Sequence, residues 1–200
     1  EMPVWQPILL GGIWKETGGQ SWAVTDQREE GMAEVERRAA EYDLMPIRWR
    51  KGWPNNTLNA MRVAVWAQQI GRTVAFSLAA FRQAFAGGKD LSNVDYVLMA
   101  AAACELHPIA VQKAMETQSV KDRLREVTQA AYERGVRGVP TVAVGDELFW
   151  GDDRLEDAGA AQRAQEAARA AERERTRSQR RTAWIGGSIA VVVLLAGIVA

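Results

Sequence analysis

The sequence predicts an α/β fold in which a long helical insertion separates a first strand from a β-hairpin and a final helix. Three observations lead to this prediction: an apolar run at residues 3–10, helical periodicity through 57–134, and a strand–turn–strand pattern at 139–150. The chain has 200 residues, of which 48% are hydrophobic. That content is enough for the core of one ordinary domain with an appendage.

The first strand is predicted at 3–10, where the run reads PVWQPILL and ends at Gly11 and Gly12. Pro3 and Pro7 lack a backbone N–H. We therefore expect this strand to pair irregularly or to lie at an edge of its sheet.

Helices are predicted after the first strand. Apolar residues recur on one helical face within 26–43, and the same spacing runs through 57–134. Pro46 begins an extended piece between these two regions. The helical insertion as a whole spans about residues 20–134.

Gly87–Gly88 and His107-Pro108 divide the second helical region. Ser92 or Asn93 is suited to cap the helix that follows the first break. His107 precedes a proline at a helix start, so we assign it a turn or capping role rather than a catalytic one. The predicted helices after the first break are 91–105, 108–116 and 119–134, the last of which ends at Gly135.

The hairpin is predicted from a change of pattern. Residues 139–144 read VPTVAV, the pair Gly145–Asp146 is suited to a two-residue turn, and 147–150 form the return strand. A final helix is expected to open at Gly151–Asp153, where the two acidic side chains would meet the positive end of the helix dipole. The predicted domain ends at residue 157.

The C-terminal region differs in composition from this domain. Residues 158–181 are rich in Ala, Arg, Glu and Gln, which predicts a solvated, charged helical spacer. Residues 182–200 carry no charge and are long enough for a transmembrane helix, with Trp184 at the interface. Arg180 and Arg181 before this segment favour a membrane-anchored protein whose globular domain is cytoplasmic.

Charge and cysteine content exclude several function classes. The net charge is zero, but residues 158–182 hold seven Arg against three Glu, so the remainder is mildly acidic. An acidic body argues against nucleic acid as a partner. The single cysteine, Cys104, lies in an apolar helical run, which predicts a buried, inert thiol. One Cys and one His provide no zinc site.

The residues that suggest chemistry lie at the hairpin. A proline that opens a strand predicts a cis Val139-Pro140 bond, which turns the Val139 backbone outward to accept an extended peptide. The helix start after Gly151 could bind a carboxylate, and Asp152 or Asp153 could accept an ammonium group. Such a site fits an amino-acid zwitterion, for example the γ-glutamyl group of glutathione.

Three segments resemble a known family. Residues 135–155 contain GVPT and LFWGDDRL, residues 7–18 read PILLGGIWKETG, and residues 56–62 read NTLNAMR. In combination they are similar to the 2-hydroxychromene-2-carboxylate isomerases and kappa-class glutathione transferases, within the DsbA-like branch of the thioredoxin-like superfamily. The resemblance spans residues 3 to about 157 and implies a thioredoxin-like fold with a large helical insertion.

The resemblance also implies which residues bind glutathione. By it, Val139 and Pro140 meet the cysteinyl backbone, and Asp152 with Asp153 holds the γ-glutamyl end. A lysine of the family aligns with Arg28, which suggests a contact with the glycyl carboxylate. A plain helix cap for Asp152 and a solvated charge for Arg28 are the alternatives. A family asparagine aligns with Gly19, so one expected ligand contact is lost.

The family's first strand and helix, which hold a serine that activates the glutathione thiol, have no counterpart before Pro3. The remaining serines have other neighbours: Ser21, Ser77, Ser92 and Ser119. We therefore expect a DsbA-like fold whose first strand and helix are missing. As it stands, this chain is expected to bind glutathione weakly at best and to show no isomerase turnover.

The resemblance implies a glutathione-dependent isomerase acting on a small electrophile from aromatic degradation by thiol addition and elimination. A kappa-like glutathione transferase or peroxidase, a DsbA-type disulfide oxidoreductase and a non-catalytic membrane-anchored remnant remain as alternatives. A homodimer is also left open.

Overall fold

The computed structural model describes the backbone of residues 3–198 and the side chains of residues 3–179. Its contacts divide the chain into two units, Glu1–Arg137 and Gly138–Ala200. The described residues form eight α-helices and one hairpin: α1 Leu10–Thr17, α2 Arg28–Glu41, α3 Leu58–Gln69, α4 Thr73–Phe81, α5 Val94–Ala102, α6 Pro108–Glu116, α7 Gln118–Glu133, β1 Thr141–Val144, β2 Glu147–Trp150 and α8 Leu155–Ile198. A 3₁₀ turn spans Trp22–Val24, and a π-helical turn spans Arg82–Ala86.

The main core of the first unit lies among helices α3 to α6. Alanines dominate it, which lets helix backbones approach closely around a few larger side chains such as Phe76 and Val97. Arg62 on α3 donates to the Met115 carbonyl at the end of α6 over 3.2 Å. The start of α3 is held by Asn56, whose Oδ1 accepts from the Leu58 N–H at 2.9 Å. The NTLNAMR motif is therefore a helix start and a link between two helices.

The predicted strand at 3–10 is wrong. Residues 3–9 have no regular secondary structure and no strand partner in the described chain, and helix α1 begins at Leu10. Side chains satisfy the backbone instead: Leu9 N–H donates to Thr128 Oγ1 at 3.0 Å, and the Trp5 carbonyl accepts from Gln68 Nε2 at 2.8 Å. The apolar run thus packs on helices α3 and α7 rather than in a sheet.

Gly11 and Gly12 do not end a strand, because both lie in the first turns of α1. A Cβ on Gly12 would stand 3.0 Å from Thr128 Cγ2, so this glycine lets α1 cross close to α7. Of the two glycines that were expected to end the strand, Gly12 therefore serves helix packing.

The predicted helix boundaries inside the insertion are largely confirmed. Asn93 caps α5 by accepting from the Asp95 N–H at 2.9 Å. His107 caps α6, with its Nδ1 accepting from the Ile109 N–H at 3.3 Å. Gly135 follows α7 with a φ of 101°, a left-handed conformation that glycine adopts without cost.

The second unit contains the hairpin and the start of α8. Strands β1 and β2 are antiparallel, and Val142 faces Phe149 across the pair. Gly145 opens the two-residue turn with a φ of 58°, as the tight hairpin requires. Ala158 of α8 is buried together with Val144 and Phe149, so the first turns of the helix cover one face of the hairpin.

The C-terminal helix is longer than the predicted spacer and is continuous in its backbone from Leu155 to Ile198. Side chains between 167 and 179 are exposed, as expected of a solvated spacer. The predicted transmembrane segment, 182–200, lies outside the residues whose side chains are described. Among the residues that are described, we find no helix with the length and apolar character needed to cross a bilayer.

Candidate functional site

Val139 lies directly before the β-hairpin and is about half exposed to solvent. The Val139-Pro140 bond is cis, which confirms the prediction, and the Val139 residue is 49% exposed. Gly151 N–H donates to the Pro140 carbonyl at 2.9 Å, one step beyond the Thr141–Trp150 pair. This hydrogen bond extends the hairpin register and sets Val139 next to the turn that follows β2.

The register decides which backbone groups face outward. In an antiparallel pair, residues alternate between those that bond to the partner strand and those that point away from it. Pro140 bonds to Gly151, so Thr141 and Ala143 direct their backbone groups to the outer edge of β1, and Val139 lies in the bend that leads into this edge. Within the described chain, no hydrogen bond engages the N–H or carbonyl of Val139. An extended peptide could therefore pair with this edge.

Trp150 supports the backbone that leads into this edge. A Cβ on Gly138 would collide with Trp150 Nε1, so the indole lies directly against the glycine. Thr141 Oγ1 donates to the Gly138 carbonyl at 2.8 Å and ties the strand to the same residue. Gly138 is consequently required for close approach of the ring, and sequence reasoning had not assigned Trp150 this role.

The acidic pair sits at a turn, not in the helix. Helix α8 begins at Leu155, four residues after Gly151, so the predicted helix opening at Gly151 is wrong. Leu155 N–H donates to the Asp152 carbonyl at 3.2 Å, which closes the turn. Asp153 is exposed, and its Oδ1 occupies the space that a Gly151 Cβ would need. Gly151, with a φ of 108°, allows the carboxylate to fold back over the backbone.

Arg28 belongs to the first unit and has structural contacts of its own. It is the first residue of α2 and is half-buried. Its Nη1 donates to the Ala23 carbonyl at 2.5 Å, and its guanidinium lies 5.8 Å from the centre of the Trp53 ring. These contacts fasten the 3₁₀ turn to the helix, so Arg28 is more than the solvated charge that was the alternative.

Three other residues, Cys104, Ser21 and Ser92, have structural roles. The Cys104 Sγ is buried and donates to the Ala101 carbonyl at 3.2 Å, as predicted for an inert thiol. Burial also raises the pKa of the Cys104 thiol. Ser21 accepts from the Ala23 N–H at 3.2 Å, and the Ser92 hydroxyl donates to Asp90 at 2.7 Å.

Comparison with known families decides the assignment of the fold. The model of the DSBA-like thioredoxin domain matches residues 4–178. The chain belongs to this family. The predicted resemblance is thereby confirmed at the level of the fold, and the described residues add that its content is mostly helical.

Two relatives place this DsbA-like protein within the family. The chain is 29% identical over 125 residues to a 2-hydroxychromene-2-carboxylate isomerase from Sphingobium xenophagum, covering 62% of this chain and 63% of that protein. It is 26% identical over 165 residues to glutathione S-transferase kappa 1 of Rattus norvegicus, covering 76% and 73%. The matched part of the chain thus spans less than two thirds of the isomerase.

Solved structures support the same fold. A structure of 2-hydroxychromene-2-carboxylate isomerase superposes with a TM-score of 0.72 at 22% identity, covering 82% of this chain and 80% of that one. A probable DsbA oxidoreductase from Streptomyces coelicolor has a TM-score of 0.59 at 22% identity, covering 80% and 65%. At this identity the likeness concerns the fold alone.

Proposed function

We propose that this DsbA-like protein is a glutathione-dependent isomerase similar to 2-hydroxychromene-2-carboxylate isomerase. The observation that carries the proposal is the open backbone edge at Val139, beside the acidic turn that follows Gly151. A tripeptide in extended form needs both features: an unpaired backbone edge for its peptide groups and an acceptor for its ammonium group.

Four residues that flank the hairpin have roles in the proposal. Val139 would donate and accept backbone hydrogen bonds with the cysteinyl residue of glutathione. Pro140 has no N–H to donate, and its carbonyl accepts from the Gly151 N–H, so it holds the backbone on which Val139 would meet the ligand. Asp152 and Asp153 would attract the γ-glutamyl ammonium group through their charge.

The reaction we propose consumes no oxidant. The glutathione thiolate adds to the electron-poor carbon of a conjugated carbonyl, so that a carbon–sulfur bond forms and the former double bond becomes single. Rotation about that single bond follows. Expulsion of the thiolate then restores the double bond in the other geometry, so glutathione is regenerated.

Transfer of glutathione is the second candidate function. The similarity to the kappa glutathione transferase covers 73% of that protein, which is more than the isomerase match covers. The two functions share the bound thiolate and differ only in whether the carbon–sulfur bond is broken again. Isomerisation without loss of free thiol indicates the first function, and a stable thioether product indicates the second.

Isothermal titration with glutathione tests the proposed site. Replacing Asp153 by Asn should weaken binding by about tenfold, the effect of losing a hydrogen bond to a charged group. Asp146→Asn is the matched control, because Asp146 lies at the opposite end of the hairpin. Equal affinity in both variants and the unchanged protein would mean that Asp153 serves the turn only.

The predicted contact between Arg28 and the glycyl carboxylate is tested separately. γ-Glutamylcysteine lacks the glycyl residue, so it would bind equally to the unchanged protein and to Arg28→Gln if the prediction holds. Glutathione would bind more weakly to the variant. A variant that weakens both ligands alike would indicate that Arg28 acts through the structure of the 3₁₀ turn.

A further inference from the structure

Helix α8 continues well beyond the hairpin that its first turns cover. Ala158 is buried against the hairpin, whereas every side chain from 167 to 179 is exposed. In that stretch the only apolar residues are four alanines. A helix of a folded domain usually has an apolar stripe that packs on a neighbouring element. This part of α8 has no such stripe, so its side chains are available to a partner outside the described chain.

Three arginines of this exposed stretch share one side of the helix. An α-helix turns by about 100° per residue. Arg169, Arg173 and Arg177 follow one another at intervals of four residues, so they lie within about 80° of each other around the axis. These three arginines are called the basic face below. Arg175 lies about 160° from Arg173 by the same count and is on the opposite side of the helix.

Within the described part of α8, no acidic side chain neutralises the basic face. Glu172 and Glu174 lie about 100° to either side of Arg173. Glu166 precedes the basic face on the same side of the helix, but its carboxylate accepts from Gln162 Nε2 at 2.8 Å. No ion pair engages an arginine of the basic face among the residues whose side chains are described. Because like charges four residues apart destabilise a helix, an external anion would relieve their repulsion.

We propose that the basic face of α8 binds the headgroups of an anionic phospholipid bilayer, with the helix lying along the membrane surface. A guanidinium donates paired hydrogen bonds to a phosphate, and each basic residue close to an anionic bilayer adds to the attraction. The three arginines span about 12 Å of helix, so they reach separate headgroups. Binding of this kind requires no helix that crosses the bilayer, and it does not depend on the proposed function.

Nucleic acid is the other polyanion that a row of arginines could bind. Residues 151–183 contain no aromatic side chain that could stack on a base. The sequence beyond the basic face also favours a bilayer. Arg180 and Arg181 add two more positive charges, and residues 182–200, which follow them, are uncharged and largely apolar. A basic stretch next to an apolar one matches the headgroups and the hydrocarbon of a membrane, whereas a nucleic acid has no counterpart of the hydrocarbon.

Cosedimentation of the full chain with lipid vesicles tests the proposal. Vesicles of phosphatidylcholine alone measure binding by the rest of the chain, and vesicles that also contain phosphatidylglycerol add the negative charge. We expect the apparent affinity for the anionic vesicles to be at least about tenfold higher. The difference should shrink as salt is added, because salt screens the surface potential. Equal affinity for the two kinds of vesicle would overturn the proposal.

Two single substitutions test whether one side of the helix is responsible. Arg173→Gln should weaken binding to the anionic vesicles by about fivefold, the effect of one basic residue near such a surface. Arg175→Gln is the matched control, because Arg175 is equally exposed, equally charged and only two residues away, yet lies on the opposite side. Its effect should be about twofold or less, since its distance from the headgroups is greater. Equal losses in the two variants would overturn the assignment to the basic face.

Competition experiments distinguish the bilayer from other sources of phosphate. Glycerol phosphate in excess should not displace the protein from anionic vesicles, because a single phosphate cannot engage the three arginines together. Complete displacement would overturn the proposal in favour of a small soluble anion. Binding of duplex DNA that Arg173→Gln weakens more than Arg175→Gln, without preference for the anionic vesicles, would overturn it in favour of nucleic acid.

Discussion

At the residue scale, Cys104 differs from a reactive thiol by its surroundings. It is buried, and burial raises the pKa of its thiol because the charged thiolate loses its hydration. The reactive thiolate is therefore scarce at neutral pH. We expect iodoacetamide to alkylate Cys104 at least about tenfold more slowly than the thiol of free glutathione in the same tube. Mass spectrometry measures both reactions, and rapid alkylation of the folded protein would contradict this account.

Gly138 provides a second test at the scale of one residue. In Gly138→Ala, the new Cβ would meet the Trp150 indole, and such overpacking costs about 1–3 kcal/mol of unfolding free energy. Gly11→Ala is the matched control. Gly11 lies in α1 with no atom within 4 Å of a built Cβ, so alanine there should be neutral or stabilising by up to about 1 kcal/mol. Urea unfolding compares the two, and equal effects would show that the indole moves freely.

At the scale of elements, the segment before α1 depends on helix α7 for its hydrogen bonds. Thr128→Val keeps the shape of the side chain but removes the acceptor of the Leu9 N–H. We expect a loss of about 1–3 kcal/mol, because that donor would be left without its partner.

Thr117→Val is the control for this change. The Thr117 hydroxyl donates to the Lys113 carbonyl at an exposed position, so its loss should cost about 0.5 kcal/mol or less. Chemical unfolding of the two variants distinguishes them. Equal destabilisation would mean that the extended segment is not anchored through Thr128.

Asp90 links two loops, and its effect depends on pH. The Ser92 hydroxyl hydrogen bond lowers the pKa of Asp90, with further lowering from the Ser92 N–H and the Arg50 charge, whereas burial raises it. A carboxylate with a lowered folded-state pKa stabilises the protein above its ordinary titration range. That stability is lost as pH falls through the folded-state pKa.

Asp90→Asn should therefore reduce stability at neutral pH by about 1 kcal/mol. The difference between the variant and the unchanged protein should shrink steadily as the pH is lowered past the usual range of aspartic acid. Thermal unfolding across this pH range measures the effect. A difference that does not change with pH would show that the charge of Asp90 is unimportant.

At the scale of the whole molecule, local signals predicted local structure well. The hairpin, the caps at Asn93 and His107, and the helix end at Gly135 follow from residues within a few positions of each other. The strand at 3–10 failed because a short apolar run does not distinguish a strand from a segment packed on helices. The partners that decide between them, Thr128 and Gln68, lie far away in sequence.

The candidate site also combines features that local signals predict with features that depend on residues distant in sequence. Val139 and the following turn were found from the sequence because Pro140 and Gly151 give local backbone signals. The ring contacts among Trp22, Trp49, Trp53 and Phe85 were not, since these residues come from separate elements. Eight tryptophans in 200 residues were the available signal, and three of them lie within 22–53.

The central claim is that glutathione binds along the open edge of the hairpin at Val139. An amide NMR titration tests it directly. We predict saturable shifts at Val139 and at Gly151 to Asp153, with little change at the turn Gly145–Asp146 at the far end of the hairpin. Cysteinylglycine, which lacks the γ-glutamyl ammonium group, should shift Val139 but not Asp153. Shifts confined to the far turn, or none at millimolar glutathione, would contradict the account.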